Sequence, residues 1–265
     1  MAEKKERKIV EVASEAAEPA KKTATAARKK VNADGKTVIE VAPAGSATGY
    51  RIGAILLWIA AITFEILAIL TYFGKINITF IPTIAWLVGL IVLDLVCVII
   101  GSLLWKKSNK IDPASKANKL KFWLWNNLGL IVCIVAFLPL ILLLLTGDNK
   151  KLDKKTKTIA VIAAVVALAI GGLCSIDWNP ISKEEKEAAV AAVQGEVYWT
   201  PFGKVYHTHD DCGSLNNSDT LYKGTAQDAI ENGRTRICSF CAKKDSIDTS
   251  NMLTDGNEEE AKKAD

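Results

Sequence analysis

Histidine is almost missing from this chain, with two copies in 265 residues, His207 and His209, both in the C-terminal quarter. A site that needs imidazole is therefore confined to that stretch. Net charge is small as well, at +4, and many of the basic residues lie between apolar runs, where membrane topology explains them without nucleic acid. The first fifty residues hold no long apolar run, so no secretory signal peptide is expected and the first apolar run should insert as an uncleaved anchor. The apolar runs carry no Lys or Arg at depth and no recognisable transporter motif.

What is present is segregated. Hydrophobic residues make up 50% of the chain and charged residues 23%, with a mean hydropathy of +0.19, outside the ordinary soluble range. Residues 1–50 alternate Lys and Arg clusters with Glu and small residues and offer no sustained apolar face, which predicts a disordered tail. Four apolar runs follow, Ile52–Phe73, Thr79–Trp105, Phe122–Thr146 and Thr158–Ile176, each near the ~20 residues a helix needs to cross the hydrocarbon core. Pro82 stands at the start of the second, where a helix tolerates it, and Pro139 lies inside the third, where a kink is expected unless neighbours satisfy the freed carbonyl. The fourth run is the least hydrophobic, and its Gly171-Gly172 pair suits close packing on another helix. Trp58, Tyr72, Trp86, Trp105, Trp123, Trp125 and Trp178 fall mostly near run ends, as interfacial aromatics do. Cys97, Cys133 and Cys174 sit singly within the runs and read as small apolar residues.

Orientation follows from the connections. Lys106, Lys107, Lys110, Lys116, Lys119 and Lys121 place the link between the second and third runs in the cytoplasm, and Arg51 and the basic tail agree. The link with Lys150, Lys151, Lys154, Lys155 and Lys157 disagrees. Four spans with both termini cytoplasmic satisfy most of these signals. Glu65 and Asp94 lie deep in the first two runs, where an ionisable group is costly and points to function. Hydrogen bonds to Thr63, Thr83, Asn126 or Asn127 would make them polar glue between spans; small-solute or proton transport is the functional alternative.

Past the runs, residues 181–195 form a helical linker, with Ser182 and Glu185 as a capping box. Residues 196–245 follow as a separate module, and 246–265 return to a polar tail. The alternation around Thr200-Pro201-Phe202-Gly203 predicts a β-hairpin that delivers His207 at its end. Thr225 caps a helix over Ala226–Asn232, stopped by Gly233. His207, Cys212 and the CxxC pair Cys238 and Cys241 then supply one nitrogen and three sulfurs, a closed tetrahedral set for zinc of the structural kind. His209 is the alternative imidazole. A module this small has little apolar core, so metal binding would contribute to its folding. A dithiol redox site at Cys238 and Cys241 lacks a thioredoxin-like setting, and a catalytic zinc with Asp210 or Asp211 as base lacks an open coordination position.

The segments TPFGKVYH, DDCGSL, AQDAIENG and RICSFC, between Val197 and Lys244, resemble the small zinc-binding modules related to the metal-binding domain of the Ada DNA-repair protein. That resemblance covers about a fifth of the chain and implies metal binding. In Ada the site is built from cysteines, one of which accepts a methyl group from DNA; His207 departs from that set, so the alkyl transfer is not implied here. The expected protein is thus an α-helical multi-pass bundle of four spans in the cell membrane, with a small α+β zinc module and no enzymatic activity. Its expected partners are the bilayer, a cytoplasmic protein or nucleic acid, and a second copy of the chain. Lys204, Lys223, Arg234, Arg236, Lys243 and Lys244 make the module mildly basic, which permits phosphate contact.

Overall fold

The computed structural model describes residues 8–11, 28–31, 37–40, 45–76, 80–147, 153–215, 218 and 220–255. The chain divides into two compact units, one of residues 47–108 and 119–178, the other drawing on residues up to 46, 109–118 and from 179 onward.

Four helices long and apolar enough to cross a membrane build the first unit: α1 (Ala47–Tyr72), α2 (Thr83–Ile111, whose last turn belongs to the second unit), α4 (Leu128–Thr146) and α5 (Lys154–Ser175). A short α3 (Lys119–Asn126) precedes α4. The third expected span, Phe122–Thr146, is therefore divided at Asn127. The side-chain amides of Asn126 and Asn127 each donate to a carbonyl one turn back, Phe122 at 3.0 Å and Trp123 at 2.9 Å, and such local bonds compete with the helix ladder. Asp153 caps α5 by accepting from the Thr156 N–H at 3.0 Å.

One core joins the helices, with Leu87, Leu90 and Val98 of α2 packed among Phe137, Leu140 and Leu144 of α4 and Ala160, Ala164 and Ala167 of α5. The outer face stays apolar, with Leu56, Ile59, Leu93, Leu103, Leu142 and Leu145 exposed, a surface that water disfavours and lipid accepts. Small residues let α5 approach α4, as the Gly171-Gly172 pair suggested: a Cβ on Gly171 would sit 2.9 Å from the Cys133 sulfur. Some of the aromatics expected at an interface turn inward, whereas Trp123 and Trp178 are exposed. Trp58 and Trp105 are buried, with ring centroids 5.3 Å apart, and Trp105 packs on Trp125 at 5.1 Å. Arg51 lies over the Trp125 ring, and the Trp105 indole N–H donates to the Trp125 carbonyl at 2.8 Å, so these rings knit helices together as well as marking an end.

The second unit centres on a five-stranded sheet of order β1-β6-β4-β5-β7. Its strands are β1 (Lys8–Glu11), β4 (Val197–Trp199), β5 (Val205–His207), β6 (Thr220–Gly224) and β7 (Arg236–Ile237), and β2 (Arg28–Val31) pairs with β3 (Thr37–Glu40) in a separate ribbon. Three strands thus fall within the stretch expected to be a disordered tail, and the rest of residues 1–44 lies outside the described residues. The hairpin of β4 and β5 forms as expected, closed by the Gly203 N–H donating to the Thr200 hydroxyl at 2.9 Å. Strand β6, which the sequence reading did not anticipate, pairs antiparallel with β4. Helix α6 (Lys183–Ala192) carries the expected Ser182–Glu185 capping box, and α7 (Ala226–Glu231) has a second one, Thr225 with Asp228.

Residues 109–118 pack on α6. The Lys183 N–H donates to the Ala114 carbonyl at 3.1 Å, Glu184 accepts from the Ser115 hydroxyl and from the Lys116 N–H, and the Lys186 ammonium reaches the Ile111 carbonyl at 2.7 Å and Glu231 at 3.0 Å. Residues 109–118 and the C-terminal module therefore belong to one compact unit. The polar tail expected over 246–265 also folds in part: Met252 and Thr254 are buried, and Ile237 exchanges backbone hydrogen bonds with Leu253 and Asp255. Residues 256–265 lie outside the described residues.

Candidate metal centre

Register brings the first two ligands together. Parallel pairing of β5 and β7 sets Tyr206 opposite Ile237, and the Cys238 N–H donates to the Tyr206 carbonyl at 2.9 Å. His207 and Cys238 consequently leave the same end of the sheet side by side. Cys238 is the N-cap of α8 (Ser239–Lys244), and Cys241 lies in its first turn. Positions three apart share one face of a helix, so the CxxC spacing aims both sulfurs at one point. Cys212 comes from a turn, where its N–H faces the His209 carbonyl and its carbonyl accepts from Leu215 at 2.9 Å.

The four ligand atoms of His207, Cys212, Cys238 and Cys241 all lie within 4.8 Å of one another. The Cys212 and Cys238 sulfurs are 4.0 Å apart, and the Cys241 sulfur is 3.8 Å from Nδ1 of His207. A zinc tetrahedron with bonds near 2.3 Å to sulfur and 2.05 Å to nitrogen has edges of roughly 3.8 Å between sulfurs and roughly 3.6 Å between nitrogen and sulfur. The donor set therefore fits a metal ion with little rearrangement. His209 is turned elsewhere: its Nε2 meets the Asp245 carboxylate at 2.6 Å, and Thr208 donates to the same group. The imidazole that faces the sulfurs is His207.

The surroundings suit thiolates. Backbone N–H groups of Thr208 and His209 near the Cys241 sulfur, and of Phe240 and Cys241 near the Cys238 sulfur, favour the charged thiolates. Without a cation between them, burial pushes the Cys238 thiol up to about 12 and raises the Cys241 thiol too. Burial also brings the His207 imidazole down to about 4, against the opposing pull of Asp255, so it is neutral and its nitrogen is free to ligate. Asp255 had no signal in the sequence, because it lies in a polar stretch. Its carboxylate accepts from the Ser239 N–H at 2.6 Å, which fixes the start of α8 and hence both knuckle sulfurs.

Three of the basic side chains of the module, Arg234, Lys223 and Arg236, are engaged within the fold. Arg234 donates to the carbonyls of Thr200 (2.8 Å), Pro201 and Asn232, clamping the hairpin turn. Lys223 pairs with Glu196 at 2.6 Å, and Arg236 donates to the Asn179 side chain at 3.2 Å. Next to the metal ligands runs a cleft of about 210 Å³ lined by His209, Asp211, Cys212, Phe240 and Lys244.

In the first unit, Glu65 and Asp94 are both buried. Of the suggested partners, Thr63 and Asn126 donate to carbonyls of their own helices and Asn127 to the Trp123 carbonyl of α3. Glu65 accepts from the backbone N–H of Leu140 at 3.0 Å.

Compared with protein-family models, curated proteins and solved structures, the chain matches none. The likeness to the Ada-type module rests on the quoted residues alone.

Proposed function

We propose that this chain is a multi-pass membrane protein whose C-terminal module folds around one structural zinc ion and serves as a docking platform for a protein partner in the cytoplasm. The observation that carries the proposal is the convergence of one nitrogen and three sulfurs from a strand end, a turn and a helix start. Bound there, zinc supplies a cross-link among three segments, beside the apolar core around Trp199, Tyr206 and Ile237. Four protein ligands fill a tetrahedron and leave no place for an activated water, which favours scaffolding over catalysis.

Two features favour a protein partner over nucleic acid. Phe202 and Phe240 stand 99% and 71% exposed on the module, the kind of aromatic anchor that protein interfaces use. Arg234, Lys223 and Arg236 are occupied within the fold, which thins the basic surface available to phosphate. The cytoplasmic assignment draws on the lysine-rich link, whose residues 109–118 fold with the module.

The test is metal content of the full-length protein in detergent, beside Cys238→Ser and His207→Ala. One zinc per chain, lost or much weakened in both variants, supports the proposal. Metal-free protein that cycles between thiol and disulfide at Cys238 and Cys241 would support a redox function instead.

A further inference from the structure

The bundle contains a second polar place, unrelated to the metal centre. Asp94, near the middle of α2, is 1% exposed, and neither of its carboxyl oxygens has a hydrogen-bond partner among the described residues. Its charged neighbour is Glu65 of α1, close enough for the two to act on each other electrostatically. Glu65 holds the Leu140 N–H at 3.0 Å, one residue past Pro139. A proline inside a helix removes one rung of the ladder and loosens the next, which is how a backbone donor of α4 comes to face a side chain of α1.

The other titratable groups facing Asp94 are thiols, Cys97 on its own helix and Cys133 on α4, with Cys174 of α5 beyond Cys133. At this level α5 presents Gly171 toward Cys133 and Leu95. Among the described residues no basic side chain pairs with either carboxyl, and two close carboxylates in an apolar interior cannot both stay ionised. A hard metal cation would need six or more oxygen ligands, whereas thiols and apolar side chains complete this surrounding. A proton meets the requirement alone.

We propose that Glu65 and Asp94 form a proton-binding dyad. Asp94 takes one proton from water and becomes a neutral carboxylic acid, and Glu65 keeps its negative charge against the Leu140 N–H. An exchangeable proton at this depth is the element from which proton relays and pH-responsive bundles are built.

Dicyclohexylcarbodiimide, an apolar reagent that attacks carboxyl groups only while they are protonated, tests this on the full-length protein in detergent, with the adduct located by peptide mass spectrometry. The expected result is an adduct on Asp94 that declines as pH rises and is indifferent to sodium or potassium. In Glu65→Gln the neighbouring negative charge is gone, so the labelling profile shifts to lower pH. Absence of an Asp94 adduct at every pH, protection by an alkali cation at fixed pH, or an unshifted profile in the variant would each overturn the proposal. Infrared spectra of the unaltered protein give a reading that needs no variant: a buried carboxylic C=O band that disappears on raising pH supports the dyad, and its absence throughout refutes it.

Discussion

The backbone N–H of Cys238 donates to the carbonyl of Tyr206 at 2.9 Å, and through this bond a two-residue strand fixes where a metal knuckle begins. Tyr206 is fully buried, so its carbonyl is held by the sheet core. His207 follows it on one strand and Cys238 follows Ile237 on the other, and the parallel register places nitrogen and sulfur at one end of the sheet. The centre is thus positioned by backbone pairing, with side-chain packing behind it.

Asp255→Ala removes the acceptor of the Ser239 N–H without touching a ligand. Loss of a cap costs about 1 kcal/mol, and loss of a group that orients ligands weakens metal affinity about 10-fold or more. Competition with a chromophoric chelator on the full-length protein checks this; unchanged affinity would show that the chain after α8 only covers the module.

Gly171→Ala forces a methyl group to within 2.9 Å of the Cys133 sulfur. Overpacking of this kind costs about 1–3 kcal/mol, and Cys133→Ala should relieve much of it. The double variant is then expected to be more stable than the sum of the single effects allows, the signature of direct coupling. Denaturation in mixed micelles measures all three.

Glu184 carries a pH prediction. Hydrogen bonds from Ser115 and the Lys116 N–H pull its carboxyl from the usual 4.5 down to about 2. A group depressed in the folded state contributes stability that is present above its unfolded value and lost as pH falls through the folded one. Thermal melts of the wild type and Glu184→Gln should therefore differ most above about pH 4.5 and converge as pH approaches about 2. Protonation of metal ligands affects both proteins alike, so the difference isolates Glu184. A constant gap over that window would contradict the role given to the 109–118 segment.

Arg234→Ala unclamps the hairpin turn that precedes β5. A hydrogen bond from a charged donor contributes about 1.5–3 kcal/mol, and with two of them on the turn carbonyls a loss of about 3 kcal/mol or more is expected. Lys should restore little, because one ammonium cannot span carbonyls that a planar fork reaches. Chemical denaturation followed by tryptophan fluorescence checks both variants.

The sequence shows most plainly what depends on local pattern. The apolar runs, the Ser182–Glu185 box, the Pro201–Gly203 turn and the short spacings His207–Cys212 and Cys238–Cys241 each rest on neighbours within a few positions, and the structure has four long apolar helices, the box, the turn and a His/Cys group able to hold a metal ion. What stayed hidden depends on distant chain segments. Strand β6 exists because β4 offers it an edge, and Asp255 matters because the chain folds back over Ile237. The choice between His207 and His209 is made by Asp245, a residue 36 positions from His209. Asn126 and Asn127 stand where the third apolar run divides, each with one side-chain amide bond that hydropathy does not register, and the Glu65–Leu140 bond depends on the neighbouring Pro139 and a second helix at once.

Zinc-edge X-ray absorption on the intact, detergent-solubilised protein reads the ligand set directly. One nitrogen shell near ~2.05 Å and three sulfurs near ~2.3 Å are expected, with the nitrogen shell lost or replaced by water in His207→Ala and unchanged in His209→Ala. Protein purified with no zinc, or a spectrum that His207→Ala leaves untouched, would contradict a centre built from His207, Cys212, Cys238 and Cys241.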